Sequence, residues 1–371
     1  MISPATVPEP VCDPGSVRNT SPAGKATSPV TAPRTLARCR DLVRPSLSAA
    51  IARLHPWHGE MAAFSLGWCG VGGTPTDRPS EGKGVRQALA VLCAEAVGVP
   101  GEKAVAGAVA VELIHTFSLM HDDIMDGDET RRQQETVWKA YGTGPAVLAG
   151  DALFALAVQT LAEVPGPHTA AAVGRLSGTL NGLVRGQAED LLFSARPWTG
   201  PEAVRTDEYR AMAELKTGTL LGCAAALGGL LGGAPARTVA ALDRAGRHLG
   251  VAFQAIDDLL GIWGDPDVTG KPVHSDLRQR KKTFPVLAAL TENSPRTGEL
   301  AALLHSPVPL DEAGAVRAAA LVESCGGRAA TLGEARHHLD AARACLRSVS
   351  LAPQAAHEID VLIGFLLHRR A

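Results

Sequence analysis

A chain of 371 residues, 46% hydrophobic and 20% charged, can bury a sizeable core in one large domain or two ordinary ones. Its formal net charge of −2 and 4% aromatic content exclude a global basic field and base-stacking platforms, so neither nucleic acid nor an anionic membrane is an expected partner. Seven scattered cysteines without a CxxC pair fit reduced thiols in the cytoplasm rather than a disulfide frame or a zinc site.

Residues 1–35 hold seven prolines among Ser, Thr and Ala and lack apolar periodicity. That predicts a disordered tail, either dispensable or a docking tag for a partner. No basic-then-apolar leader opens the chain, and no stretch of about 20 apolar, uncharged residues is expected to span a membrane. Residues 36–371 read as one domain. Apolar residues at helical spacing predict helices over 40–54, 85–97, 103–125, 144–161, 169–192, 211–231 and 238–262, with further Ala/Leu-rich helices between Gly/Pro breaks to the end. Val, Ile and Thr never alternate with polar residues over a strand length, so no sheet is expected. Helices this apolar belong inside a large all-α bundle.

Two acidic clusters interrupt the apolar helices. His121-Asp122-Asp123-Ile124-Met125-Asp126 closes the helix that carries Val111, Leu113, Ile114 and Leu119. Asp122 and Asp126 are four residues apart, hence on one face and about 6 Å apart along the axis. Two like charges that close repel unless a cation lies between them. Roughly 135 residues later, Asp257-Asp258 lies within another apolar helix. Oxygen ligands with no His or Cys set suit Mg²⁺ rather than Zn²⁺. Either cluster alone could be a helix end or a solvated patch; two in apolar helices make opposite walls of one metal–diphosphate site the better expectation.

Cations recur around these clusters. Lys83 and Arg86 fall at the first turn of a helix, where phosphate is favoured. Arg131 and Arg132 follow the first cluster, Lys216 opens the most apolar helix, and Lys271 with the run 275–283 follows the second cluster. For each alone, a solvated surface charge is the commoner explanation. Together, carboxylates for metal, cations for diphosphate and an apolar bundle for hydrocarbon meet the requirements of prenyl-chain chemistry.

In these residues the sequence resembles the trans-type polyprenyl diphosphate synthase family, from about Arg40 to the C-terminus. GKGVR (82–86), ELIHTFSLMHDDIMDGDETRR (112–132), LKTG (215–218), FQAIDDLLG (253–261) and KPVHSDLRQRKKTFP (271–285) look like five family motifs in family order. The resemblance implies an isoprenoid-synthase bundle with a central hydrophobic cavity, a homodimer, and three Mg²⁺ ions entering with the allylic diphosphate. It implies that Asp122, Asp123, Asp126, Asp257 and Asp258 serve the metal. Lys83, Arg86, His115 and Arg132 would hold isopentenyl diphosphate. Arg131, Lys216, Gln254, Lys271 and Lys281 would serve the allylic diphosphate, with Thr217 beside the reacting carbons. Taken alone His115 reads as a core histidine; the aspartates on its helix favour the ligand role.

Three positions depart from the pattern: Gly84 where the family has Arg, Gln87 where it has Pro, and Gly261 at the third aspartate of the second motif, for which Asp265 is a candidate substitute. The expected reaction is condensation of isopentenyl diphosphate with a dimethylallyl, geranyl or farnesyl primer to a short all-trans product. Ser118, one turn before Asp122, is small, and Phe117 is the first bulky candidate floor. The resemblance implies a twenty-carbon product, with fifteen carbons next; the alternative for Phe117 is simple packing against a neighbouring helix. A class I terpene cyclase and a catalytically poor modulatory subunit are the rival functions. The first is disfavoured by Asp257-Asp258 with Lys83, Arg86 and His115; the second draws on Gly84 and Gly261.

Overall fold

The computed structural model describes residues 30–76, 82–266, 272–291 and 294–367. The expected tail over 1–29 and the candidate Lys271 lie outside the described residues. Helix α1 (Ala32–Ile51) starts behind Thr31 with a proline in its first turn, inside the stretch 1–35 expected to be tail. Tertiary packing draws it in: Ala32, Thr35, Leu36 and Cys39 are buried, and the Thr35 hydroxyl donates to Glu358 at 3.1 Å.

After the short α2 (Pro56–Ser65), helices α3 (Val85–Ala96) and α4 (Val105–Asp126) form the centre. Nearly every side chain of α3 is buried, and α4 buries Val109 to Ile114 and Met120. Around them lie α5 (Val137–Tyr141), α6 (Thr143–Ala162), α7 (Thr169–Ala195), α8 (Thr206–Ala213), α9 (Thr219–Leu231) and α10 (Ala236–Trp263). The chain ends in α11 (Ser275–Arg278), α12 (Phe284–Leu290), α13 (Pro295–His305), α14 (Glu312–Ser324), α15 (Gly327–Arg347) and α16 (Pro353–Leu367). Helix α9 packs on α3, α4, α7 and α10, and α15 lies along α10. Leu113, Leu153, Leu176, Leu227 and Leu242 are fully buried, each worth about 1.5–3 kcal/mol relative to exposure.

A π-helical turn, Glu214–Gly218, joins α8 to α9. It is held between α7 and α10 by two glycines. A Cβ at Gly186 would lie 2.8 Å from the Lys216 Cα, and one at Gly250 would lie 2.7 Å from the Gly218 nitrogen. Only glycine permits that approach, and it fixes Lys216 and Thr217 between two helices.

Among the described residues the one β pairing is a two-residue antiparallel ladder, Thr130–Arg131 with Gln134–Glu135. Arg132 and Gln133 turn it at φ 54° and 63°, costing on the order of 1–3 kcal/mol each. The tight turn folds Arg131 and Arg132 back towards α4 and α3.

Two described helices, Gly101–Asp126 and Thr143–Ala162, are long and apolar enough to cross a membrane by length and composition alone, and each is interrupted by an acid, Glu112 in the first and Asp151 in the second. In the first, 61% of that apolar window is buried inside the protein, because the central helix of a large bundle is apolar nearly all round.

Candidate active site

The end of α4 separates its carboxylates by face. Asp122 and Asp126 share one, whereas Asp123 points the other way and is buried, gripped by Arg131 through Nε at 2.8 Å and Nη2 at 2.6 Å. Burial pushes the Asp122 carboxyl up to about 6, with Lys216 opposing and Asp126 and Asp190 reinforcing the rise. Lys216 donates to Asp190 of α7 at 2.6 Å, and Lys281 donates to Asp126 at 2.9 Å. Burial disfavours the charge of both lysines. Asp190 and Asp122 around Lys216, and Asp126 and Asp276 around Lys281, outweigh it, so both are raised above the ordinary lysine value. The salt bridge from Lys281 to Asp126 brings the segment after α10 onto the first acidic wall.

On α10, Asp257 is half-buried and Asp258 is buried. Asp258 accepts from the Tyr209 hydroxyl at 2.6 Å, the Phe284 backbone N–H at 2.9 Å and Gln254 at 3.0 Å. Burial lifts it to about 7 although those donors pull it down. The Gln254 carbonyl in turn accepts from Thr217 at 2.9 Å, so a hydrogen-bonded line runs from the π turn to the α10 wall. Protein donors thus occupy both Asp123 and Asp258, and the same contacts tie Arg131 to Asp123.

The third group of candidates gathers where α3 meets α4. Arg86 Nη1 lies 3.1 Å from His115 Nε2. A guanidinium can only donate, so Nε2 accepts and the imidazole proton resides on Nδ1. Burial, then Arg86, Arg132 and Arg131, depress His115 well below the ordinary histidine value, which keeps it neutral. Glu112, one turn earlier, is buried beside Arg86, Arg132 and Arg40. Burial pushes its carboxyl up while the three arginines pull it down. Arg86 stands over the Phe253 ring and Lys83 over Phe365, both at 5.9 Å. Two of the departures prove coupled: Gly84 has φ 66°, and a Cβ there would meet the Gln87 amide at 2.7 Å.

Ser118 donates to the His115 carbonyl at 2.9 Å on the Asp122 face. Phe117 instead turns towards α6, its ring 4.7 Å from that of His121 and 5.7 Å from Phe154. A cavity of about 680 Å³ between α7, α9 and α10 is lined by Gly174, Arg175, Gly178, Leu230 and Arg247 and includes none of these candidates.

Among the described residues no three His, Cys, Asp or Glu side chains converge closely enough to hold a metal unaided. The donors at the walls are all carboxylate oxygens, and burial, reinforced by Asp126 and Asp190, raises Asp122. That set fits Mg²⁺, which completes its shell with water and substrate oxygens.

Residues 77–319 match the polyprenyl synthetase family. The chain belongs to that family. A (2E,6E)-farnesyl diphosphate synthase of Mycobacterium tuberculosis is 40% identical over 91% of this chain and 93% of its own. A geranylgeranyl diphosphate synthase of the same species is 45% identical over 79% of this chain and 82% of its own. A polyprenyl synthetase from Streptomyces coelicolor A3(2) superposes with TM-score 0.84 at 44% identity, covering 90% of this chain and 98% of that one.

In this polyprenyl synthetase, a short-chain prenyltransferase, three site residues escape a reading of the sequence. Asp190, the partner of Lys216, sits in Gly186-Gln187-Ala188-Glu189-Asp190. It is a third acid within an apolar helix, a signal equal to the other two. Asp276 is hidden among the cations of 275–283. Tyr209 carries no local signal, because only folding places its hydroxyl on Asp258.

Proposed function

We propose that this synthetase condenses isopentenyl diphosphate with an allylic diphosphate in a Mg²⁺-dependent reaction, giving geranylgeranyl diphosphate. The observation that carries this reading is the pairing of Lys216 with Asp190 of α7 and of Lys281 with Asp126 of α4, together with the Arg86–His115 contact between α3 and α4.

Asp122, Asp126 and Asp257 offer hard oxygen ligands for Mg²⁺, which when bound neutralises charge on the leaving diphosphate. Lys216 and Lys281 hold full positive charge there and turn from their carboxylates to the diphosphate as its own charge develops. Arg86, Arg132 and Lys83 grip isopentenyl diphosphate, with neutral His115 kept in one tautomer by Arg86, so that attack on the allylic carbon becomes effectively unimolecular. Gln254 orients the Thr217 hydroxyl near the reacting carbons. The departing diphosphate takes the final proton, and no protein base is assigned.

The small Ser118 leaves the first turn below Asp122 open, which favours twenty carbons, as does the 45% identity to a geranylgeranyl diphosphate synthase. The 40% identity to a farnesyl diphosphate synthase over more of the chain supports fifteen as the second reading. We also infer a cytoplasmic homodimer, in which Val147, Leu148 and Phe154 of α6 and Val184, Leu191 and Leu192 of α7, all exposed here, face a second copy.

The test is to incubate the purified chain with Mg²⁺, isopentenyl diphosphate and each allylic primer, then size the dephosphorylated alcohols. Twenty-carbon alcohol is expected. A cyclic hydrocarbon made from the primer alone would point to a cyclase, and no turnover without another synthase would make the chain a modulatory subunit.

A further inference from the structure

Lys281 and Lys282 are neighbours with opposite surroundings. Lys281 reaches the first acidic wall, where it donates to Asp126 at 2.9 Å. Lys282 turns into the protein and is only 8% exposed, although lysine is almost never buried without a paired charge. Among the described residues no carboxylate pairs with it, and the charged group that acts on it, Arg196, is itself a cation. Burial and that like charge hold its ammonium below the ordinary lysine value. A lysine kept in such a place calls for a physical reason.

The reason is the ring beside it. Lys282 Nζ stands 4.2 Å from the centre of the Trp198 ring, whereas Arg86 and Lys83 stand 5.9 Å from theirs. A π face attracts a cation most strongly where water is excluded, and indole does so best. Trp198 is itself fixed. It lies between α7 and α8, is buried, and packs in one core cluster with Ile262 of α10, Leu277 of α11 and Val286 of α12. Arg196 is drawn aside by Glu208 at 3.0 Å and by the Glu202 and Ala203 carbonyls at 2.8 and 2.9 Å, which leaves the ring to Lys282. The backbone makes the two lysines diverge. Arg280 has φ 53°, and the Thr283 N–H donates to the Lys281 carbonyl at 3.0 Å, so Lys282 is the central residue of a γ-turn. On either side, the Lys281 N–H donates to the Asp276 carbonyl and the Phe284 N–H to Asp258, both at 2.9 Å. Lys281 therefore projects from a tight turn whose middle residue is the one seated on Trp198.

We propose that Lys282, seated on Trp198, is a positioning residue: its anchor fixes the γ-turn and so aims the Lys281 ammonium at the allylic diphosphate. This rests on the diphosphate role of Lys281 proposed above. The indole serves as the counter-group that a carboxylate would otherwise supply, and the connector between α7 and α8 thereby acts on a lysine it does not touch.

The test measures steady-state kinetics of the purified chain with Mg²⁺, isopentenyl diphosphate and an allylic primer, with melting temperature recorded for each variant. Lys282→Met, which keeps the length and removes the charge, should lower kcat about tenfold or more. Its KM for isopentenyl diphosphate and its melting temperature should stay near those of the parent. Lys282→Arg, still a cation able to lie on the ring, should recover most of the loss. Trp198→Leu should match Lys282→Met, and the double variant should be no slower than the slower single one, since both remove one contact. The pH profile gives a reading that packing alone would not move. Folded Lys282 gives up its proton below the ordinary lysine value, so the alkaline fall in kcat should come at higher pH in Lys282→Arg than in the parent. Parent-like kcat in Lys282→Met overturns the proposal, as do losses that multiply in the double variant or an alkaline fall that Lys282→Arg leaves in place. If Trp198→Leu does not fold, the two Lys282 variants decide. Lys281→Gln separates the two levels of inference. If it lowers kcat and Lys282→Met does not, only the positioning fails; if neither lowers kcat, the diphosphate role of Lys281 fails as well.

Discussion

Removing a carboxylate from water disfavours its charged form, and at Asp122 the nearby Asp126 and Asp190 add to that effect while Lys216 opposes it, leaving the group at about 6. Between the unfolded value of 3.8 and that folded value, the folded chain binds the extra proton. Its contribution to stability therefore falls as pH rises through that window, and the penalty is complete above it. Asp122→Asn removes the penalty. In metal-free protein the substitution should raise the melting temperature near pH 8 and do so less near pH 5, while lowering turnover about a hundredfold or more. An unchanged melting temperature at both pH values, by calorimetry, would contradict the account. Asp123 and Asp258, next in sequence to Asp122 and Asp257, are buried and held by protein donors. Arg131 donates to the one, and Tyr209, Gln254 and the Phe284 N–H donate to the other.

At the scale of elements, the π turn between α8 and α9 is the part that the two backbones at Gly186 and Gly250 confine most closely. Gly250→Ala has no room to relax without displacing Gly218. It should cost about 1–3 kcal/mol of stability and lower kcat more than it raises KM, since Lys216 and Thr217 move with the turn. Gly178→Ala on α7 provides the contrast, because its added Cβ meets nothing within 4 Å. That variant should gain about 0.5–1 kcal/mol and keep its kinetics. Urea denaturation with steady-state kinetics on both variants checks the pair. Apolar periodicity places most of these helices to within a few residues: 85–97 against Val85–Ala96, and 238–262 against Ala236–Trp263. It misses the start of α1, where Ala32 and Thr35 are buried and the Thr35 hydroxyl reaches Glu358 of α16, over 300 residues away.

For the whole molecule, the apolar side chains left exposed on α6 and α7 bear on assembly. Leu148 is 55% and Leu192 61% exposed, in helices otherwise built for burial. Introducing Leu148→Glu and Leu192→Glu together should turn a dimer into a monomer in sedimentation velocity, with the helical circular dichroism retained. A parent chain that sediments as a monomer would remove the dimer inference.

The sequence by itself determines the all-α class, the order of the motifs and the identity of the acidic and cationic residues, because apolar spacing and local charge are properties of neighbouring positions. Tertiary structure alone decides how those residues are used. Arg131 closes on Asp123 through a strained two-residue hairpin, Tyr209 finds Asp258 across 49 positions, and Phe117 turns to α6. Asp276 comes to rest where Gly261 leaves room. Those are contacts between surfaces that meet only once the bundle has closed, and no local pattern encodes which face of a helix will meet which partner.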